Sequence, residues 1–229
     1  MSQSPKLPRR LTAQQMALNH LRQLISGGFL QPDDRIRQEQ LAEDLGCSVI
    51  PVREALKTLE AEGQVQYVPH RGYHVTRLSI DELTETYLIR RLLEDEIVRI
   101  AAPRLGPDDF AEFDRLMDSM ESASTAADIA TMITLNRDFH FRLFERADRP
   151  RMVDFIRMLW QATDSYRARY YADAPARERV DREHRSIVDA LRAGEVDRAV
   201  EELDRHRGHA VAALASSLEN DQPRPDSED

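Results

Sequence analysis

The segment from residue 41 to 63, LAEDLGCSVIPVREALKTLEAEG, restricts the fold more than any other stretch of the chain. Leu41, Ala42 and Leu45 form the apolar side of a first short helix, and Gly46 supplies the backbone freedom of a sharp turn. Ser48 stands where an N-cap belongs, and Pro51 is tolerated in a first helical turn because no N–H is required there. Val52, Ala55, Leu56 and Leu59 recur at helical spacing and face inward, leaving Arg53 and Lys57 on a side that packing does not use. Two short helices across a tight turn are the layout of a helix-turn-helix, whose second helix enters the DNA major groove. Gly63 ends that helix. Residues 65–68 and 73–75 read as two short strands around a turn at 69–72, and a hairpin in that place makes the unit a winged helix. The alternative is an ordinary helical hairpin followed by a β-turn.

A net charge of −9 sits badly with nucleic acid until it is divided along the chain. Residues 1–78 hold ten Lys/Arg against eight Asp/Glu, a net of +2; residues 79–229 hold 22 against 33, a net of −11. The nucleic-acid surface is therefore expected in the N-terminal third, with the remainder held off the phosphates. A +2 unit is only weakly basic. Two copies would double the phosphate contacts within one binding event, which is a reason to expect a homodimer.

With 229 residues there is room for two small domains. No apolar run reaches eighteen residues, so no membrane partner is expected, and the start MSQSPKLPRR lacks the apolar core of a secretory signal. A single cysteine, Cys47, cannot form an internal disulfide, which fits a cytoplasmic location.

Residues 1–10 read as a disordered arm. Thr12 can cap a helix to Ser26 with Met16, Leu21, Leu24 and Ile25 on its buried side, stopped by Gly27 and Gly28. Residues 11–78 thus form one domain, and the capping box Ser79-Ile80-Asp81-Glu82 opens the next with a helix to about Leu105. Further helices follow from Pro107, from Thr125 or Ala126 through Phe144, from Pro150 to about Tyr171, from Pro175 to Gly194, and from Glu195 to about Leu218. In the fourth of these six, Met152, Phe155, Ile156 and Leu159 mark the buried side. Short connections between long amphipathic helices imply an antiparallel all-α bundle over 79–218, followed by a disordered acidic tail at 219–229. The fold class is mainly α: a winged helix-turn-helix, then a helical bundle.

The bundle half contains NRDFHFRLF, EHRSIVDALRAGE and DRHRGHA. Asn136 and His140 lie four residues apart on one helix face, with His184 and His206 on later helices. Groups from several helices converging on a bundle interior are how helical proteins build metal sites, and imidazoles suit zinc, nickel or a similar divalent ion. Histidines on helices can equally be hydrogen-bonded core groups or surface residues.

Two resemblances add to this reading. LAEDLG, PVREALKTLEAEG and HRGYHV, within residues 11–77, resemble the DNA-binding domain of GntR-type transcriptional regulators. That resemblance implies operator contacts from Ser48 and Arg53, and a minor-groove contact from Arg71 with Gly72. The family often has Arg-Thr after the Ser, where this chain has Val49 and Ile50. Valine cannot bond bidentately to guanine, but Val49 could touch a thymine methyl.

RRLLEDEIVRIAA, the FH of DFHFRLF, EHRSIVDAL with AGEVDRA, and a His in the last helix resemble the FCD-type ligand-binding domain of the FadR subfamily, over about residues 80–215. In that family an Asp or Asn and three histidines hold a divalent metal beside the effector pocket. The matching positions are Asn136, His140, His184 and His206, with His209 the competitor for the last place. Asn in place of Asp removes one anionic ligand. The resemblance also implies that Arg90 pairs with a carboxylate effector; the other reading of Arg90 is an intrahelical pair with Glu94 at i, i+4.

Together these readings predict a dimeric transcription factor, most often a repressor in this family, reading a palindromic double-stranded operator and responding to a small organic acid. A metal-dependent hydrolase built on the bundle is the main alternative, and a DNA-binding architectural protein with an inert bundle is the third.

Overall fold

The computed structural model describes residues 11–220, so the expected arm at 1–10 and the tail beyond 220 lie outside the described residues. Helix α1 (Ala13–Ser26) begins at Thr12, whose hydroxyl accepts from the Gln15 N–H at 3.2 Å while Gln15 returns a bond to the Thr12 N–H at 3.0 Å. Its buried side is Ala17, Leu21 and Ile25. Met16, expected on that side, is 42% exposed because the inward stripe lies one residue further along.

Helices α2 (Gln38–Asp44) and α3 (Val49–Ala61) meet across a turn in which Gly46 has φ +61°. Ser48 occupies the N-cap position of α3 with extended backbone, but its side chain makes no capping bond. Strands β1 (Val65–Val68) and β2 (Gly72–Val75) pair antiparallel, Val65 opposite Val75 and Val68 opposite Gly72. The second strand of the wing starts at Gly72 rather than Tyr73, and an isolated bridge from Arg35 to His74 ties the loop before α2 to it. Val52, Ala55, Leu56, Leu59, Val65, Tyr73 and Val75 close a core with α1.

The second core belongs to the bundle: α4 (Ile80–Ala101), α5 (Pro107–Thr125), α6 (Ile129–Glu145), α7 (Pro150–Ala162), α8 (Asp164–Ala172), α9 (Ala174–Arg192) and α10 (Val196–Asn220). The Ser79–Glu82 capping box is present at the start of α4. That helix ends at Ala101 and tightens into a 3₁₀ turn over 102–104, short of the expected Leu105. Helix α6 starts at Ile129, after a turn in which Ala127 has φ +54° and Asp128 caps through the Thr131 N–H. Helix α10 continues to Asn220, so residues 219 and 220 are helical rather than tail.

The largest departure lies between 150 and 171, where one helix was expected and two occur. Thr163 turns its hydroxyl back onto the Trp160 carbonyl at 3.1 Å and breaks the helical run. The register of α7 also differs from expectation: Val153, Ile156 and Trp160 point inward and Phe155 is 59% exposed.

Helix α8 carries the junction between the two cores. Leu78 donates its N–H to the Tyr166 hydroxyl at 2.6 Å. Gly28, with φ +74°, approaches so closely that a Cβ placed on it would lie 2.7 Å from the Ala168 Cβ.

Candidate metal centre and nucleic-acid interface

Helix α6 contributes Asn136 and His140, α9 contributes His184, and α10 contributes His206; all four are buried. A nitrogen from each imidazole lies within 4.8 Å of the others, and the Nε2 atoms of His140 and His184 face each other at 3.3 Å. Phe139 stacks on His184 at 4.2 Å between centroids, and Trp160 packs on His140 at 5.0 Å. Aromatic walls therefore fix the rings.

Glu183 accepts from His206 Nδ1 at 2.7 Å and from His209 Nδ1 at 2.5 Å. A carboxylate on Nδ1 sets the tautomer of His206 and leaves its Nε2 lone pair directed elsewhere, the arrangement that orients metal-ligating histidines. His206 is thus the histidine of α10 that joins the cluster, while His209 lies at its edge on the other Glu183 oxygen.

Burial, then the neighbouring imidazoles, push the His140 imidazole well below its usual range; Arg90 and Arg167 add to this. Burial and His206 do the same to His184. Both rings are neutral at pH 7, the form that binds metal. Burial alone would raise the Glu183 carboxyl, but its bonds and charge pairing with His206 and His209 outweigh that and hold it low.

The donor set passes a direct test of fit. Asn136 buries both amide atoms without a hydrogen-bond partner among the described residues, as do His140 and His184 with their Nδ1 atoms. Unsatisfied buried polar groups are costly, so a polar amide beside three clustered imidazoles fits a ligand set better than a packed core.

Arg90 is buried and makes the pair that was the alternative reading: its Nε donates to Glu94 at 2.8 Å. The pair leaves Arg90 Nη1 buried without a partner. Glu94 also accepts from Trp160 Nε1 at 2.7 Å and Arg207 Nη1 at 3.1 Å. The pairing and a role toward an acid are therefore compatible.

On the winged helix, Ser48, Arg53 and Arg71 are exposed and Gly72 is half-buried at the hairpin tip, where Gly72 has φ +87° and His70 φ +63°. Arg53 Nε donates to the neutral Gln38 amide at 3.2 Å, so its charge stays uncompensated. Lys57 instead pairs with Glu54 at 2.9 Å. Val49 is partly buried against the N-terminal core, and Ile50 is the side chain that projects, 73% exposed. The sequence reading put Val49 on the outer side; the signal for Ile50 was an apolar residue off the inward stripe of α3.

A winged helix followed by an all-helical bundle defines the class: a DNA-binding transcriptional regulator. Residues 13–75 match the gntR family of bacterial regulatory proteins and residues 85–209 match the FCD domain. The chain belongs to the GntR family, in its FadR-type branch with a C-terminal FCD domain.

The chain is 33% identical over 142 residues to the HTH-type transcriptional regulator McbR of Escherichia coli, spanning 62% of this chain and 64% of that protein. It is 24% identical over 186 residues to the HTH-type transcriptional repressor RspR of the same organism, spanning 81% and 82%. The solved structure of E. coli McbR/YncC superposes with a TM-score of 0.83 at 26% identity, covering 91% of this chain and 99% of that one. These relatives are transcriptional regulators, which sets aside the hydrolase alternative. Among the described residues no helix is long and apolar enough to cross a membrane.

Proposed function

We propose that this chain is a cytoplasmic, metabolite-responsive repressor that binds a palindromic operator as a homodimer, its DNA affinity set by a small organic acid held in the bundle. A divalent metal, zinc by preference and nickel next, is bound by His140, His184 and His206, with Asn136 as a fourth, neutral ligand. The observation that carries this reading is the meeting of three buried imidazoles with a buried amide that has no partner among the described residues. When bound, the metal supplies a positive centre that attracts an anion. Arg90 orients that acid through the η nitrogen its Glu94 pair leaves over.

Ser48, Ile50 and Arg53 read the major groove, with Val49 behind them as support, and Arg71 at Gly72 reaches the minor groove. The two separate cores support a division near residue 78, between a DNA-binding domain from 11 and a helical domain that runs to the end of α10. A second copy is accommodated on helices α4 and α7, which pack together and leave Leu88, Ile89, Leu92, Phe155 and Met158 outside. The repressor named among the relatives supports the direction of regulation.

Elemental analysis of protein purified without chelator or polyhistidine tag tests the site. The expected result is up to one divalent ion per chain, lost in the His140→Ala, His184→Ala double variant. Failure to take up zinc or nickel, even on incubation, would leave the histidines as hydrogen-bonded core groups.

A further inference from the structure

Arg90 is one of two guanidinium groups that meet at the Trp160 ring. Its central carbon lies 4.3 Å from the ring centroid, and that of Arg167, on α8, lies 3.9 Å from the same centroid. Trp160 in turn packs on His140, so both cations stand beside the histidine cluster.

The two arginines are engaged in the same incomplete way. Each uses Nε on a carboxylate of its own helix: Arg90 on Glu94 at 2.8 Å, Arg167 on Asp164 at 3.1 Å. Each then buries one η nitrogen without a partner among the described residues, Nη1 of Arg90 and Nη2 of Arg167. Tyr170, one turn along α8 from Arg167, likewise buries an unpartnered hydroxyl.

The local charges do not balance. Asp164 also accepts from Arg137 at 2.8 Å, so one carboxylate serves two guanidiniums. Glu94 is shared between Arg90 and Arg207, but Arg207 has Asp95 and Asp204 as well. The surplus positive charge therefore lies on the Arg167 side. A single carboxylate at Arg90 would leave both this surplus and the Arg167 η nitrogen unanswered.

We infer that Arg167 is a second anion-binding residue of the effector site and that the effector is a small dicarboxylic acid, one carboxylate held at Arg90 and the other at Arg167. This inference rests on the metal-and-acid reading of the same pocket. Paired N–H bonds from a planar guanidinium suit a carboxylate at each end, and two fixed cations select for the spacing between the ends.

Calorimetric titration of the zinc-loaded full chain tests it, using malonate, succinate, glutarate and adipate beside propionate, butyrate, pentanoate and hexanoate. At least one diacid is expected to bind about tenfold or more tighter than the monoacid of equal length. Arg167→Gln should abolish that ratio by weakening diacids about tenfold more than monoacids, and Arg90→Gln should weaken both classes. Arg167→Lys keeps the charge and should retain part of the ratio, which covers the case in which the glutamine variant does not fold. Equal affinity for both classes in the parent protein, or an unchanged ratio in the Arg167 variants, overturns the inference while acid binding at the metal stands. If none of the eight acids binds the zinc-loaded chain, the acid reading and this inference fall together.

Discussion

Among the described residues of the winged helix, Gln64 is the only polar side chain that is buried, whereas the bundle encloses Arg90, Glu94, Asn136, His140, Asp164, Arg167, His184, His206 and Arg207, among others. The first half turns its polar groups outward, Arg53 and Arg71 among them, where water solvates them. The second half has already removed its polar groups from water and compensates them only in part. A buried charge or amide lowers stability unless its partners are complete. The contrast teaches that a DNA-binding domain can rest on an ordinary apolar core, while an interior rich in polar groups is built at the expense of the core itself.

The sharpest way to break this contrast is Glu94→Ala. Glu94 receives Arg90, Trp160 and Arg207 at once, so its loss strands the Arg90 guanidinium in the interior and takes from Arg207 one of its three carboxylates. A cost of about 3–5 kcal/mol is expected, read from urea unfolding of the variant against the parent. A cost below 1 kcal/mol, on the order expected for a helix cap, would mean that water already reaches the network.

Ligand completion should act with the opposite sign. Zinc at a free concentration of about 100 times its Kd should stabilise the bundle by about 2.7 kcal/mol, seen as a rise in Tm that chelator reverses. Asn136→Ala should reduce this gain while costing the metal-free protein little, because the amide it removes has no partner to lose. A large loss of metal-free stability would contradict the assignment of Asn136 as a ligand.

On the outer surface the effects are smaller and fall on binding instead of folding. Arg53→Ala should weaken operator affinity by about 1–3 kcal/mol and leave Tm unchanged, in titrations at fixed salt against a palindromic site selected from random duplex DNA. Smallest of all, Thr12→Ala removes the α1 capping box and should cost about 1 kcal/mol, measurable in unfolding of the winged helix with no change at the metal. If this variant altered zinc affinity, the two cores would not be energetically separate.

The same contrast explains what could be read from the chain beforehand. The helix-turn-helix was legible because its signals are local: the Gly46 turn, the inward stripe of Val52, Ala55, Leu56 and Leu59, and the hairpin after Gly63. The Ser79 capping box was legible for the same reason. Asn136 and His140 could be placed on one face by spacing, but bringing His184 and His206 to them is a property of how three helices pack, and there the family resemblance did the placing. The break at Thr163 was hidden because threonine is common inside helices, and only its contact with the Trp160 carbonyl interrupts the run. Arg167 went unnoticed with it, since a continuous helix through 171 gives no reason to turn that residue inward. Val49 and Phe155 were misplaced by about one residue of helical phase, the scale at which periodicity ceases to discriminate.

Gly28 and Ala168 bring the winged helix and the bundle together through two of the smallest residues available. Their closeness makes the joint behave like a machined fit with no clearance. A methyl added at residue 28 would act as a shim: it cannot be absorbed by rotating a side chain, and its backbone already sits at φ +74°. A side chain there would have to move α1 away from α8. The joint thus holds the winged helix at one fixed distance from the helix that carries Arg167.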